Sequence, residues 1–571
     1  MKNHEVAAIF NAIADLLELK DDNPFKIRAY RRAAINVDSL TEDIETVAEE
    51  KRLETIPGIG KELAAKIDEI IATGKCKHYE ELKAEVPQAM LDMVLIPGIG
   101  PKTAKLLYDK LKVKNIAELE MMAKRHRISG LPGIKDKTEE NILRGIALVK
   151  KRSERMTLKE ALDVSGEFAA RLKKMREVKK VIAGGSLRRM KETVRDIDIL
   201  VTSASPVKVI NTFVKLPTVR DVTAHGDTKA SILTNEGIQV DLRVVEPSSF
   251  GAALVYFTGS KAHNIKLRHI AKDMGLKVNE YGVFSEKSGK SIAGKTEEDV
   301  YKALKLKFIE PELREDRGEI EAASAGKLPK LVQLSDIRGD LHVHSNWSDG
   351  SDRIEDLAIE AKKLGYEYAA ITDHSQSLKV AGGLSELEVL KKLEEIKKVN
   401  KKIKGIRVLS GAEVDILKDG SLDYKDDILK RFDIVIAAIH SGFKEPKEKL
   451  TDRILRAMDN KHVNIISHPT GRLMGVRGPY EIDFESIFRA ARGAGVAFEI
   501  NSYPERLDLD DVNARAAGEA GVRLVIGTDS HMAEQLKFMA LGVSVARRAW
   551  LEKADILNTL GLDGLLKFLK K

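Results

Sequence analysis

The sequence predicts a multidomain protein that joins an all-α region, an α+β region and a C-terminal (β/α)7 barrel. Residues 5–150 place apolar side chains at helical spacing, as in Val6, Ile9 and Ile13. From residue 178, short β-branched runs follow one another, which is typical of the strands of one mixed sheet. After residue 335, seven apolar runs alternate with helical stretches, as in a parallel barrel with one unit fewer than the usual eight.

Length and composition fit several globular domains. The chain has 571 residues, 43% of them hydrophobic and 32% charged, and this length suggests about three to five structural units. No run of about 18 apolar residues is present, and the acid-containing N-terminus does not resemble a secretory signal, so we expect a cytoplasmic protein. The single cysteine, Cys76, excludes an internal disulfide and a thiolate cluster. Any bound metal must therefore be held by His, Asp and Glu.

Positive charge is concentrated in the middle of the chain. The formal net charge is +8, and residues 151–335 carry 34 Lys and Arg against 25 Asp and Glu. A local surplus of this kind suits a polyanionic partner, whose phosphates release counterions when basic side chains bind them. Solvated surface charge without a partner is the alternative.

A short motif is repeated in the helical region. Ile56-Pro-Gly-Ile-Gly60 and Ile96-Pro-Gly-Ile-Gly100 are near copies, and Leu131-Pro-Gly-Ile-Lys135 is a degenerate third copy. The glycines permit a tight turn whose N–H groups meet the positive end of the following helix. Such a turn predicts a sequence-independent seat for phosphates, whereas a plain helix connection is the alternative. The glycines concerned are Gly58, Gly60, Gly98 and Gly100.

Three aspartates predict a carboxylate site in the α+β region. Asp196 and Asp198 are two residues apart in a predicted strand and share a face, which Asp241 can join from a later strand. Three carboxylates repel one another unless divalent cations lie between them. Such a trio holds two Mg2+ ions, one activating a 3′-hydroxyl and one binding a triphosphate. An Asp-x-Asp pair is also an ordinary edge-strand pattern.

Nine potential metal ligands lie where the predicted barrel strands end. In a parallel barrel these ends converge on one face, where catalytic groups collect. Nine ligands exceed the need of one ion, and a shared carboxylate, Glu413, could bridge two ions with a third beside them. Histidines that merely satisfy loop starts are the alternative. The nine are His342, His344, Asp349, His374, Glu413, His440, His468, Asp529 and His531.

The motifs around these ligands resemble the polymerase and histidinol phosphatase (PHP) family of phosphoesterases. They read HxHxxxxDG, ITDH, GAE, AIH, SHP and GTDSH, and the resemblance covers residues 336–571. It implies a hydrolytic centre of up to three metal ions held by all nine ligands. Asp340 and Asp373 are expected to orient those ligands.

The α+β region resembles the nucleotidyltransferase palm of DNA polymerase family X. The resemblance is carried by Gly184-Gly-Ser-Leu-Arg-Arg189, its ten-residue spacing from Ser186 to Asp196, and Gln239-Val-Asp-Leu-Arg243. The backbone N–H of Gly185 and the Ser186 hydroxyl can reach nucleotide phosphates, and Arg189 can neutralise them. Gln239 departs from the family, which places an arginine there to orient the third aspartate.

The segment Tyr256-Phe-Thr-Gly-Ser260 resembles the nucleotide-binding segment of the same family. It implies that Tyr256 and Phe257 crowd the sugar and disfavour a ribose, and that Gly259 also belongs to the nucleotide-binding residues. Asn264 and Arg268 would face the new base pair and its minor groove. Lys261 departs from the family, which places an acidic residue there.

The repeated turns resemble helix-hairpin-helix motifs, which in this family grip the backbone on both sides of a DNA gap without base contacts. The stretch from Lys26 to Ala34 resembles the family's N-terminal domain and implies phosphate contacts by Lys26, Tyr30 and Arg31. Lys66 aligns with the Schiff-base lysine that removes a 5′-deoxyribose phosphate. Glu62 replaces a supporting lysine of the family, and an ordinary exposed lysine is the alternative for Lys66.

The full-length resemblance implies a bacterial or archaeal type family X DNA polymerase with a C-terminal PHP domain. We expect a monomer that fills gaps in base excision repair, using primer-template DNA, deoxynucleoside triphosphates and two Mg2+ or Mn2+ ions. The PHP domain would be a Mn2+- or Zn2+-dependent 3′-5′ exonuclease, with possible cleavage at abasic sites, and alone it should cleave DNA poorly. Alternatives are a fused small-molecule phosphatase or a non-catalytic scaffold for DNA ends.

The predicted boundaries follow from these motifs. They are 1–85 for a 5′-phosphate and lyase-like domain, 86–150 for a fingers-like domain, 151–247 for the palm, 248–315 for a thumb-like nucleotide-selection domain, 316–335 for a linker and 336–571 for the PHP domain. The linker is predicted because its sequence is polar, interrupted by Gly and Pro, and without a clear period.

Overall fold

Helices and tight turns build the first part of the chain. The computed structural model describes residues 2–38, 40, 44–73, 75–96, 98–132 and 134–570, and the chain forms two compact units, residues 1–154 and 155–571. In the described part of the first unit the helices are α1 (Lys2–Leu19), α2 (Pro24–Asp38), α3 (Ile44–Glu49), α4 (Lys61–Thr73), α5 (Lys77–Glu85), α6 (Gln88–Val94), α7 (Pro101–Leu111), α8 (Ile116–Lys124) and α9 (Asp136–Glu154).

The repeated motif forms the same turn twice. Gly58 and Gly98 have φ angles of +83° and +93°, which a residue with a side chain adopts only with strain. In each turn the second isoleucine donates its N–H to the carbonyl of the first, over 3.0 Å from Ile59 to Ile56 and 2.9 Å from Ile99 to Ile96. The predicted helical region with tight hairpin turns is confirmed. Pro97 and Gly133, which belong to the second and third copies, lie outside the described residues.

A mixed sheet of five strands opens the second unit. Its strand order is β2-β4-β7-β6-β5, and β4 runs parallel to β7 while the other neighbours are antiparallel. The short strands β1 and β3 form a separate pair. The elements are β1 (Met156–Thr157), α10 (Leu158–Lys173), β2 (Val178–Ala183), α11 (Gly185–Arg188), β3 (Thr193–Val194), β4 (Asp196–Ser203), α12 (Pro206–Phe213), β5 (Val219–His225), β6 (Lys229–Thr234) and β7 (Gln239–Val245).

Helices and a three-stranded sheet follow. They are α13 (Phe250–Thr258), α14 (Lys261–Asp273), β8 (Leu276–Asn279), β9 (Gly282–Ser285), β10 (Ser291–Ala293), α15 (Glu297–Ala303) and α16 (Glu319–Ala325). Helix α16 falls within residues 316–335, which were predicted as an irregular linker. That prediction is wrong at this helix, because Ile320 and Ala323 pack into the core and the buried carboxylate of Glu319 binds the His263 ring over 2.6 Å.

Seven parallel strands form the C-terminal barrel. They are neighbours in chain order from β11 to β17, and the β11 and β17 ends meet where Val343 pairs with Ser530. The predicted (β/α)7 barrel is confirmed. Its elements are β11 (Gly339–Val343), α17 (Ile354–Lys363), β12 (Tyr368–Ile371), α18 (Glu386–Lys402), β13 (Arg407–Asp415), α19 (Asp426–Leu429), β14 (Ile434–Ala438), α20 (Lys447–Met458), β15 (Ile465–Ile466), α21 (Phe484–Ala494), β16 (Ala497–Asn501), α22 (Asp511–Glu519), β17 (Leu524–Gly527), α23 (Met539–Arg548) and α24 (Leu562–Leu569).

The strand residues explain the barrel. Most strand residues are buried, and Val, Ile, Leu and Ala predominate among them, which is typical of parallel strands covered on both faces. The predicted ligands lie in the carboxyl-terminal part of the strands or in the segments directly after them, so that this edge of the barrel carries them. Among the described residues, no helix combines the length and the apolar character needed to cross a membrane.

Candidate active sites

The nine predicted barrel ligands come together at the carboxyl ends of the strands. Glu413 lies at the centre, and all of its neighbours among them are histidines. Its carboxylate oxygens lie 2.8 Å from His468 Nε2, 3.0 Å from His374 Nδ1, 3.4 Å from His440 Nε2, 3.5 Å from His342 Nε2 and 3.6 Å from His344 Nε2. One carboxylate therefore faces five imidazoles, a position from which it could bridge two ions.

Two further carboxylates flank this centre. Asp349 lies 3.4 Å from His374 Nε2 and 3.3 Å from His531 Nε2. Asp529 lies 3.2 Å from His344 Nε2 and 3.7 Å from His342 Nε2. Three groups of these side chains could each hold an ion, because their ligand atoms lie within 4.8 Å of one another. The groups are His344, Asp349, His374 and His531; His342, His344 and Asp529; and His374, Glu413 and His440.

The donor set fits divalent metal ions. The Nε2 atoms of His342 and His344 lie only 3.1 Å apart, and two imidazole lone pairs approach this closely when a proton or a cation lies between them. Among the described residues, the buried Nδ1 atoms of His344 and His468 have no hydrogen-bond partner. Buried polar atoms are nearly always paired, so these nitrogens are available as ligands.

The electrostatics of the cluster point the same way. Burial, together with His374 and His531, lowers the pKa of His344 to about 4. Burial alone would raise the pKa of Glu413, but the neighbouring His440, His342 and His374 outweigh it and hold that pKa well below its usual value. The carboxylates and His344 thus have the protonation states that bind metals. Against the effect of burial, the same carboxylates raise the pKa values of His342, His374, His440 and His531, so a bound metal would displace protons from these rings.

The sequence did not reveal the acids that bind two of the histidines at Nδ1, on the side of the ring away from Glu413. Glu499 accepts a 2.6 Å hydrogen bond from His342 Nδ1 and one of 2.8 Å from the backbone N–H of His468. Asp415 accepts a hydrogen bond from His440 Nδ1. A charged residue within a buried strand was the signal, since Glu499 lies inside β16. These bonds fix which ring nitrogen faces the cluster.

Asp340 and Asp373, the two acids predicted to orient ligands, bind groups beside the ligand side chains rather than the imidazoles. Asp340 accepts hydrogen bonds from the backbone N–H groups of His342 and Thr528, each over 3.2 Å. Asp373 accepts from Ser345 N–H over 2.7 Å and pairs with buried Lys392 over 2.8 Å. Both carboxylates thereby fix the backbone that carries the ligands.

Arg506 is a second residue that sequence reasoning missed. Its Nε lies 3.2 Å from Asp529 Oδ2, and its buried Nη1 has no hydrogen-bond partner among the described residues. A guanidinium with an unpaired N–H at a metal cluster is suited to a phosphate oxygen. No short motif marks it, because it follows β16 in an irregular loop.

The three predicted aspartates of the α+β region also meet. Asp198 and Asp241 lie opposite each other in the parallel pairing of β4 with β7, and Asp196 is on the same face of β4. Gln239 Nε2 donates to Asp241 Oδ2 over 3.1 Å, so this residue orients the third aspartate without an arginine. Asp241 Oδ1 is buried and has no partner among the described residues, which leaves it available to a cation.

Beside this trio, position 185 has no room for a side chain. Gly185 has a φ of +61°, and a Cβ there would lie 2.4 Å from Asp198 Oδ2. Burial, together with Asp196 and Asp241, raises the pKa of Asp198 to about 7. Three carboxylates in this space thus repel one another, and a divalent cation would relieve that repulsion.

The predicted nucleotide-binding segment forms one turn. Asn264 Nδ2 donates to the carbonyls of Tyr256 over 2.6 Å and Gly259 over 3.1 Å. The Tyr256 and Phe257 rings meet edge to face with centroids 5.1 Å apart, and Arg268 is exposed. Asn264 therefore holds the turn between α13 and α14.

Arg189 has protein partners. Its Nε donates to Glu315 Oε1 over 2.8 Å and its Nη1 donates to the carbonyl of Thr258 over 2.7 Å. Its side chain is mostly buried, unlike that of a phosphate contact in open solvent. The predicted phosphate contact by Arg189 stays a prediction.

A pocket of about 560 Å3 in the helical unit gathers several predicted DNA contacts. Lys26, Tyr30 and Gly60 line it, whereas Arg31 is paired with Asp15 and lies 3.6 Å from Glu18. Lys66 donates to Glu62 over 2.7 Å, and its ammonium lies 5.9 Å from the Tyr30 ring centroid.

Four family models match successive parts of the chain. They are a helix-hairpin-helix domain at residues 1–76, a SAM-like helix-hairpin-helix tandem at 90–147, the DNA polymerase beta thumb at 253–315 and the PHP domain at 340–502. The matches follow the order in which the sequence resemblances occur.

Relatives extend the likeness to the whole chain. A DNA polymerase/3′-5′ exonuclease PolX of Bacillus subtilis is 40% identical over 573 residues, which is 100% of both chains. Probable phosphatases of Thermoanaerobacter sp. (strain X514) and Shewanella sediminis are 33% and 31% identical, over 38% and 41% of this chain and 89% and 93% of their own length. Because the likeness to the first relative spans both chains completely, the protein belongs to the PolX family of DNA polymerase/3′-5′ exonucleases.

Proposed function

We propose that the protein is a DNA-directed DNA polymerase that fills short gaps in base excision repair and trims 3′ ends with its barrel. The observation that carries the proposal is the presence of two clusters of metal-ligand side chains in one chain of the PolX family. The aspartate cluster suits bond formation, and the histidine cluster suits hydrolysis.

In nucleotide addition, Asp196, Asp198 and Asp241 would hold two Mg2+ or Mn2+ ions. Such ions supply charge neutralisation of the triphosphate and lower the pKa of the primer 3′-hydroxyl. Gly185 and Ser186 would receive phosphate oxygens, because the glycine leaves room beside Asp198. The Asn264-held turn would place Tyr256 and Phe257 against the sugar of the incoming deoxynucleotide.

In hydrolysis, the nine barrel ligands would hold up to three Mn2+ or Zn2+ ions, whose chemistry is to supply a hydroxide at neutral pH. Glu499 and Asp415 keep the histidine lone pairs turned inward. Arg506 would bind an oxygen of the phosphodiester through its unpaired Nη1.

The helical unit would hold gapped DNA by its backbone, in a monomeric enzyme. The residues concerned are Gly58, Gly60, Gly98 and Gly100 of the tight turns, with Lys26, Tyr30 and Arg31.

The test is a primer-extension and 3′-excision assay on one-nucleotide-gapped DNA with Mn2+. Asp198→Ala should lose extension by at least about 100-fold and keep excision, while His344→Ala should show the reverse. Extension that survives Asp196→Ala would refute the polymerase assignment and favour a non-catalytic scaffold for DNA ends.

A fused small-molecule phosphatase is the second candidate. It is favoured by the probable phosphatases whose length is almost covered by this barrel. Rates on 3′-labelled DNA and on a free phosphomonoester such as histidinol phosphate separate the two candidates. Hydrolysis of the monoester without cleavage of DNA would replace the exonuclease proposal by this one.

A further inference from the structure

The last residue of α23, Arg548, belongs to the barrel, but its side chain contacts residues of the polymerase part of the chain. The Arg548 side chain is almost fully buried. Its Nη1 donates to the backbone carbonyl of Arg189 over 2.7 Å and lies 3.2 Å from Glu315 Oε1. Its Nη2 donates to Asp511 Oδ2, at the start of α22, over 2.6 Å. One guanidinium therefore ties the barrel to the loop that follows α11 and to the segment before α16.

The same carboxylate oxygen serves a second guanidinium. Glu315 Oε1 also accepts from Arg189 Nε over 2.8 Å, and Arg189 Nη1 donates to the Thr258 carbonyl over 2.7 Å. Thr258 is the last residue of α13 and directly precedes Gly259 in the Asn264-held turn. An unbroken chain of charge-assisted hydrogen bonds thus runs from Arg548 through Glu315 and Arg189 to that turn.

Charges of both signs meet in this junction. Three guanidinium groups, Arg189, Arg548 and Arg317, contact two carboxylates, Glu315 and Asp511. Burial would raise the pKa of Glu315, but the two arginines outweigh it and lower that pKa. Removing one partner from such a buried set leaves an uncompensated charge, which displaces its neighbours. Asp511 would keep a second partner, Arg317 Nη1, at 2.9 Å.

We infer that Arg548 of the barrel is a positioning residue for nucleotide addition. It holds Glu315 and, through it, the Arg189 guanidinium against the Thr258 carbonyl, so that the Tyr256–Asn264 turn is set before the nucleotide arrives. The barrel then has two roles: it carries the hydrolytic site, and it helps to position the nucleotide-binding turn of the polymerase site. This inference rests on the proposed polymerase function.

Gap filling by the full-length Arg548→Gln variant tests it. We expect KM for the deoxynucleoside triphosphate to rise about tenfold, with kcat for 3′ excision within about twofold of wild type. Arg547→Gln is the matched control, because its guanidinium is on the same helix but binds Glu312 over 2.6 Å and touches neither Arg189 nor Glu315. The control should leave KM unchanged, and Arg548→Lys should restore part of the loss.

Glu315→Gln provides an independent variant. It should raise KM as Arg548→Gln does, and the double variant should be no worse than either single one, because both cut the same connection. An unchanged KM in Arg548→Gln would overturn the inference. Equal losses of extension and excision together with a lowered Tm would also overturn it, because they indicate a merely structural role. If Arg548→Gln does not fold, Arg548→Lys and Glu315→Gln provide the same test. Absence of extension by the wild type would instead refute the polymerase proposal.

Discussion

Glu499 and Asp415 show how single residues shape the barrel site. Each binds the Nδ1 side of a histidine, so that Nε2 faces Glu413. A neutral imidazole offers one lone pair, and the nitrogen that carries the proton cannot bind a metal. The acids behind the histidines thus decide which nitrogen serves as the ligand.

Replacing Asp415 by Asn tests this at the residue scale. The amide keeps the shape of the side chain but loses the charge that holds His440 Nδ1–H, so we expect metal affinity to fall about 10- to 100-fold. The measurement is Mn2+ binding followed by electron paramagnetic resonance, with the Mn2+ concentration for half-maximal excision beside it. Asp433→Asn is the control, since Asp433 binds Ser410 rather than a ligand. Equal Mn2+ affinity in both variants would contradict the assigned role.

Lys66 gives a second prediction at this scale. Burial alone would lower the pKa of its ammonium, but the hydrogen bond with Glu62 and the neighbouring Tyr30 outweigh it and raise that pKa. A protonated amine is not a nucleophile. Glu62→Gln should therefore lower the pKa of Lys66 and increase borohydride trapping on 5′-deoxyribose phosphate DNA at pH 7.5.

The control for this experiment is Lys66→Ala in the Glu62→Gln background, which should abolish the trapped product. Persistence of that product would assign the chemistry to another amine. Less trapping in Glu62→Gln than in the wild type would show that Glu62 assists the lysine.

At the scale of elements, α14 and α16 are joined through a buried histidine. His263 Nδ1 donates to Glu319 Oε1 over 2.6 Å, and the Tyr301 hydroxyl donates to Nε2 over 3.1 Å. The tyrosine can donate only while Nε2 is unprotonated. Burial lowers the pKa of His263 despite the hydrogen bond to Glu319, so the folded protein holds this ring neutral.

A pH dependence of stability follows from this pair. Between pH 7.5 and 5.5 the unfolded chain, in which the pKa of His263 is about 6.5, binds more protons at this residue than the folded chain, in which burial lowers that pKa. Because the unfolded state binds more protons, stability falls as the pH falls. His263→Gln should show a smaller decline of Tm over this range than the wild type. His269→Gln, an exposed change on the same helix, should match the wild type; equal slopes in all three would contradict the prediction.

Particular elements show how much of the fold can be predicted from the sequence. Strands β11 to β17 and the aspartate pair of β4 are predicted because alternation, apolar runs and strand-end residues are local patterns. Helix α16 is not, because its stability depends on Glu319 meeting His263, 56 positions earlier in the chain. The junction of Arg189, Glu315, Asp511 and Arg548 escapes prediction for the same reason, since no periodicity links charges so far apart.

At the scale of the whole molecule, the division into residues 1–154 and 155–571 places the tight turns proposed to hold DNA in one unit and both candidate metal-binding clusters in the other. The fragment 155–571 retains every aspartate and histidine ligand. We expect it to bind gapped DNA at least about tenfold more weakly than the full chain, with a smaller salt dependence because fewer phosphates are contacted. Fluorescence anisotropy at several salt concentrations measures both.

Hydrolysis of bis(p-nitrophenyl) phosphate is the control for that fragment. This small diester needs the barrel site but no DNA grip, so its rate should stay within about twofold of the full chain. Loss of this activity as well would show that the helical unit supports the barrel rather than the DNA.

The chain order of the barrel ligands has a consequence for biosynthesis. Strands β11 to β17 are neighbours in the order in which they are made, so Asp529 and His531 are the last ligands to leave the ribosome. Domains form in that order during translation, N-terminal first. The helical turns and the aspartate trio emerge before any of the nine barrel ligands, the first of which is His342, and Arg548 emerges after all of them. With the roles proposed for these parts, a nascent or truncated chain would therefore hold DNA before it could cut it.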